Sequence, residues 1–157
     1  MPKNYVYRMT HDTGFAPNIE YGICTLSGCK NNKSGRKKNI EENATRKSWV
    51  IGIGGKDTGK SNKLIYVMEV EENLEYSQFQ ERYPEKSKYL QPENAGTNVL
   101  LSRKFYYFGD HAVDLPEGLV HIIYRGRNCK SVCDKDISKL RKYLEERYSS
   151  DISQISL

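Results

Sequence analysis

Residues 48 to 54, SWVIGIG, and residues 64 to 70, LIYVMEV, constrain this chain most. Both runs are dense in residues that fit a pleated, buried surface, and the glycines at 52 and 54 permit close backbone approach. The polar, glycine-rich GGKDTGKSNK lies between them. The pattern predicts two buried antiparallel strands joined by a long hairpin loop.

That loop also contains Gly54-x-x-x-x-Gly59-Lys60-Ser61, a literal match to the phosphate-loop pattern. A phosphate loop must lead into a helix whose N-terminus faces the phosphates. Here Ser61-Asn62-Lys63 leads into strand-like LIYVMEV, so a mobile basic hairpin is expected and not a nucleoside-triphosphate site.

The remaining elements follow from periodicity. NYVYRM at 4–9 alternates like an opening strand, and 19–26 reads equally as a short helix or an extended segment. Residues 39–45 suit a helical turn. LEYSQFQERY at 74–83 suits a short helix with Leu74, Phe79 and Tyr83 inward. NVLL at 98–101, KFYYF at 104–108 and LVHIIY at 119–124 read as strands, and 126–133 as a loop. Asp134 is placed to cap a last helix in which Ile137, Leu140, Leu144 and Tyr148 share a face. The expected fold is α+β: a curved antiparallel sheet or small β-barrel with short helices and a C-terminal helix. One domain over 1–148 is expected, with 149–157 a frayed tail.

Composition supports a folded domain, with 37% hydrophobic and 29% charged residues in 157. No apolar run approaches the roughly 20 residues of a membrane span. MPKNYVYRMTHD lacks the apolar stretch of a signal peptide, so a cytoplasmic location is expected, with the cysteines reduced.

The segment DTGFAPNIEYGICTLSGCK at 12–30 has no helical or strand period. Gly14, Pro17, Gly22 and Gly28 make a stiff scaffold carrying Asp12, Phe15, Asn18, Tyr21, Thr25, Cys29 and Lys30. Such a loop suits ligand shaping, with a packed structural loop as the competing reading. Arg8, Asp12-x-Gly14-Phe15-Ala16-Pro17-Asn18, Gly22-x-Cys24-Thr25-Leu26 and Cys29-Lys30 resemble the start of the nucleotide modification associated domain, type 2. Trp49 to Gly54, Leu64 to Met68 and Phe105 to Gly109 fit the same family in order. Members often carry Lys-Pro after the second cysteine, whereas Lys30 here precedes Asn31. The resemblance implies a setting in DNA base modification and phage conflict, and no particular reaction.

The Trp49 strand, its hairpin and the following short helix also resemble PUA-like domains, including ASCH and EVE domains. That resemblance implies a pocket for a flipped or modified base, held by stacking and edge hydrogen bonds. Phe15, Tyr21, Trp49, Tyr106 and Tyr107 are the stacking candidates, and Asp12, Asn18 and Thr25 the edge-reading ones, with Lys30 beside them. Core packing is the competing fate of each aromatic.

The net charge of +5 is uneven. Lys30, Lys33, Arg36, Lys37, Lys38, Arg46 and Lys47 face only Glu41 and Glu42 within 30–47. Lys30, Arg36, Lys37, Lys38, Arg46 and Lys47 are therefore candidates for phosphate contacts, against the alternative of a solvated loop. Cys24, Cys29, Cys129 and Cys133 lack metal-site spacing, so buried thiols are expected and no metal. No cofactor motif stands out. His11-Asp12 and Asp110-His111 are adjacent pairs, which point to opposite faces of a strand. An enzyme here would rely on Asp12, Cys29 or His111, and nothing compels one. Three readings stay open: a binder of a modified base or nucleotide in DNA or RNA, an enzyme acting on such a group, and a phage-defence or counter-defence protein that traps a free nucleotide.

Overall fold

A computed structural model describes residues 2–10, 17–27, 40–88, 98–126, 129–148 and 155–156. Its elements are β1 (Asn4–Met9), β2 (Cys24–Leu26), α1 (Ile40–Asn43), β3 (Trp49–Gly54), β4 (Leu64–Glu69), β5 (Glu72–Glu75), α2 (Tyr76–Arg82), α3 (Pro84–Ser87), β6 (Asn98–Ser102), β7 (Phe105–Tyr107), β8 (Lys130–Val132), α4 (Asp134–Arg147) and β9 (Ile155–Ser156). They form a mixed α+β fold with two sheets, ordered β8-β1-β3-β4-β7-β9 and β2-β6-β5. Neither sheet closes into a barrel among the described residues.

β3 and β4 pair antiparallel as their composition predicts, with a register shift between Gly52 and Ile53. The large sheet is not wholly antiparallel, because β1 runs parallel to β3. A parallel pair needs a long crossover, and the thirty-nine residues between these strands supply it. β2 and α1 lie within that crossover, so it also builds part of the small sheet.

Alternation along the strands gives the large sheet two packed faces. Val6, Trp49, Ile51, Ile53, Tyr106 and Phe108 face α4, which contributes Ile137, Leu140 and Leu144. Tyr5, Tyr7, Met9, Val50, Tyr66 and Phe105 pack instead with Cys24 and Leu26 of β2 and Leu100 of β6. A third cluster joins Phe79 and Tyr76 of α2 to Ile23, Val99 and Leu101. Gly52 is required where it stands, since a Cβ there would meet the Tyr66 ring at 2.4 Å.

Four local expectations change. LVHIIY is no strand: Glu117–Ile122 is a 3-10 helix with Leu119 and Ile122 buried. Extended Pro116 starts it, and the three-residue spacing of the two apolar side chains suits that helix. Residues 130–132, read as loop, pair with β1 as edge strand β8. Residues 72–75 form β5 before α2 begins, and the Glu75–Gln78 capping box marks the switch. Cys133, and not Asp134, is the N-cap of α4; Asp134 is its first residue. In the tail, Ile155–Ser156 adds a short strand beside β7.

Candidate functional site

β4 belongs to the large sheet and β5 to the small one, so the chain changes sheets at Val70-Glu71. β6 and β7 make the reverse change at Arg103-Lys104. The Glu69 N–H donates to the Lys104 carbonyl and the Glu71 N–H to the Leu101 carbonyl, both at 3.0 Å, so pairing runs through the corner. The turn before β3 closes over it. The Lys47 N–H donates to the Val70 carbonyl at 2.7 Å, and the Val70 N–H to the Ser48 carbonyl at 2.8 Å. Lys47 adopts a left-handed backbone with φ of 75°, uncommon for a residue other than glycine.

These segments enclose a cleft of about 290 Å³ lined by Arg46, Lys47, Glu69, Val70, Glu71, Glu72 and Lys104. Its carboxylates are engaged by groups around it. Glu72 accepts two hydrogen bonds from Arg82, at 2.9 and 3.1 Å. Those bonds hold the Glu72 carboxyl below its usual range, and the positive charges of Arg82, Arg103 and Arg46 add to the effect. Glu69 lies 3.9 Å from Arg141, whose guanidinium sits over the Trp49 ring at 4.9 Å. Glu71 accepts from the Arg103 N–H and, at 3.5 Å, from the Ser102 hydroxyl. The exposed Arg46, Lys47 and Lys104 form no ion pair among the described residues. Six cations therefore surround three carboxylates, and Arg46, Lys47 and Lys104 line the cleft itself. Such a cleft favours an anion with several acceptor oxygens.

A second polar cluster lies beside β2. Lys86 is 2% exposed, and its ammonium donates to the Asn18 carbonyl at 3.0 Å and to Asn18 Oδ1. Burial pushes this amine down to about 8, while Cys24 and Glu20 act upward. Burial likewise pushes the Cys24 thiol up to about 12, opposed by Lys86. Asn18 and Thr25 are bridged by two backbone bonds of 3.0 and 2.9 Å, so 18–25 is a small hairpin pinned by the amine.

The Gly54–Lys63 loop is a hairpin loop, leading from β3 directly into antiparallel β4. The amides of Gly54, Gly55, Thr58, Lys60, Asn62 and Lys63 bond within the protein, and no helix follows to aim its N-terminus at a phosphate. Lys60 donates to the Gly109 carbonyl at 3.1 Å and lies 3.5 Å from Asp110. It anchors the loop to the turn after β7.

The family model for nucleotide modification associated domain 2 matches residues 1–93 and 80–154. The chain belongs to this family. No curated protein and no solved structure matches it.

Within this nucleotide modification associated domain, the residues singled out from sequence separate. Asp12, Phe15, Cys29, Lys30, Arg36, Lys37 and Lys38 lie outside the described residues. Asn18 and Thr25 are buried: Asn18 Oδ1 also accepts the Glu20 N–H at 3.1 Å, and the Thr25 hydroxyl reaches the Asn18 carbonyl at 3.4 Å. Tyr21, on the same hairpin, is 61% exposed. Trp49 and Tyr106 are core residues on the α4 face. Tyr107 is half-buried against the opposite cluster. The large sheet thus separates the Trp49 and Tyr106 side chains from the β2 hairpin. Arg46 and Lys47 line the corner cleft. His111 is exposed at the end of a short 3-10 helix, and His121 pairs with Asp136 at 2.8 Å. Among the described residues no three His, Cys, Asp or Glu side chains are grouped to hold a metal ion, and no helix is long and apolar enough to cross a membrane.

Sequence reasoning missed Lys104, the three glutamates and Lys86. Lys104 is separated from Lys47 by fifty-seven positions and joins it only through the sheet-to-sheet corner. Glu69, Glu71 and Glu72 carried a usable signal. Three acids ending an apolar strand mark where it leaves the core. Nothing around Lys86 in PEKSK distinguishes a buried lysine from an exposed one.

Proposed function

We propose that this domain binds a nucleotide, free or within a nucleic acid, with its phosphate in the corner cleft. One observation carries the reading: Arg46, Lys47 and Lys104 line a cleft whose carboxylates are engaged by Arg82, Arg141 and the Arg103 backbone. Membership of a nucleotide modification family supports it. In the sequence the basic run 30–38 precedes Arg46, and among the described residues of 12–30 the exposed Tyr21 is the candidate for base contact. A binding role needs no catalytic group, and none is assigned.

The test is a titration with modified and unmodified oligonucleotides and free mononucleotides at several salt concentrations. Removing Arg46, Lys47 and Lys104 together should weaken binding to all of them and reduce the salt dependence, because phosphate contacts release counterions. Unchanged affinity in the triple variant at every salt would remove the cleft from the ligand path.

A further inference from the structure

We infer that Tyr21 is a stacking platform for the base of the nucleotide whose phosphate the corner cleft holds; this rests on the reading just given. Tyr21 has φ of 61° and ψ of 22°, in the left-handed region. That conformation is unfavourable for a side chain with a Cβ, and tyrosine has no short polar group to offset it. Glycine would adopt it freely, as Gly22 does beside it with φ of 70°. The ring is nevertheless 61% exposed, so core burial does not explain its retention.

The surroundings impose the conformation. The Asn18–Thr25 bridge closes the base of the turn, the Ile23 N–H donates to the Glu20 carbonyl at 3.4 Å, and buried Lys86 grips Asn18. Strain of this kind persists where the structure over-determines it, and it gathers at ligand sites.

Register places the turn at the end of the small sheet that leads to the cleft. Cys24 of β2 faces Ser102 of β6, so the turn that precedes Cys24 extends past Ser102. Arg103 and Lys104 follow Ser102 at that same end of the sheet, toward the cleft. β6 lies between β2 and β5, whose Glu72 lines the cleft, so about two strand spacings, roughly 10 Å, separate them, a span a nucleotide can bridge. An exposed aromatic ring at the cleft end of the small sheet, with cations in the cleft, matches the two halves of a nucleotide: a flat base that stacks without regard to sequence, and a phosphate that pairs with cations.

The experiment compares binding of AMP, GMP and ribose 5-phosphate. The parent should prefer the nucleotides by roughly ten- to a hundredfold, the contribution expected of one stacked base. Tyr21→Gly should lose that preference, leave ribose 5-phosphate binding unchanged, and melt at the same or a higher temperature. Tyr21→Phe and Tyr21→Trp should keep the preference. Arg46→Ala with Lys104→Ala should weaken all three ligands. The inference is overturned if Tyr21→Gly binds AMP and GMP like the parent, or if it melts lower, which would make the ring a structural element. A parent that binds all three ligands equally overturns the stacking role alone. A parent that binds none of them overturns the cleft with it.

Discussion

The two faces of the large sheet are filled by different means. The face under α4 is an aromatic and aliphatic layer. Trp49, Tyr106 and Phe108 pack there with Ile137, Leu140 and Leu144, and the Tyr106 and Phe108 rings stack at 6.2 Å. The face toward β2 contains the Tyr7–Tyr66 hydroxyl pair at 2.7 Å, the buried Cys24 thiol and, beside it, the Lys86–Asn18 clamp. The amphipathic α4 and the neighbouring segment carrying Leu115, Leu119 and Ile122 cover the first face with apolar side chains. Segments from distant parts of the chain cover the second, and each brings polar groups that need an individual partner. The first face should therefore respond to lost volume and the second to charge and pH.

Trp49→Ala should give the largest effect, a loss of about 3–5 kcal/mol in urea unfolding, as expected for a large buried aromatic. Base preference should not change in the gentler Trp49→Phe. A changed preference would move this face into the ligand site and break the comparison.

The second face should show itself in pH. Lys86 binds its proton less well folded, at about 8, than unfolded, at 10.5. The unfolded chain holds more protons in that window, so stability should rise with pH above 8. Cys24 works oppositely above 9, because its folded value is pushed up to about 12. Unfolding measured from pH 7.5 to 10.5 should thus show a rise of about 1 kcal/mol between pH 8 and 9 and then a plateau. Lys86→Met should abolish the rise, and Cys24→Val should prolong it. A flat parent profile would mean the amine is not buried as described.

Lys60→Ala should cost about 0.5–1.5 kcal/mol, through its bond to the Gly109 carbonyl. ATP or GTP hydrolysis that disappears with this change would restore the phosphate-loop reading. Changing Arg36, Lys37 and Lys38 together to Ala tests the basic run. It should flatten the salt slope of duplex DNA binding by up to about 0.9 per lost contact. No change in that slope at any salt would mark the run as a solvated loop.

Much of the fold was legible. β3, β4 and α4 announce themselves because their apolar periodicity coincides with what they bury. LVHIIY misled because strand composition does not guarantee a strand: after Pro116 its Leu119 and Ile122 are buried one 3-10 turn apart. The site was less legible. Tyr21, Arg46 and Lys47 were identifiable as an aromatic and two basic residues in polar surroundings. That Trp49 and Tyr106 would pack under α4, away from Tyr21, depended on which sheet face met the helix.

By itself the sequence determined several local choices: that β3 and β4 are buried strands, that α4 presents Ile137, Leu140 and Leu144 on one face, and that the glycine-rich segment leads back into a strand. Each follows from residues within a few positions of one another. It also identified the family, now matched over residues 1–93 and 80–154. Only the tertiary structure decided that β1 runs parallel to β3, that Lys86 is buried on Asn18, and that Lys104 meets Arg46 and Lys47 at one cleft. These contacts span tens of positions. They are set by which sheet each strand joins, a global balance of burial and hydrogen bonding that local pattern does not encode.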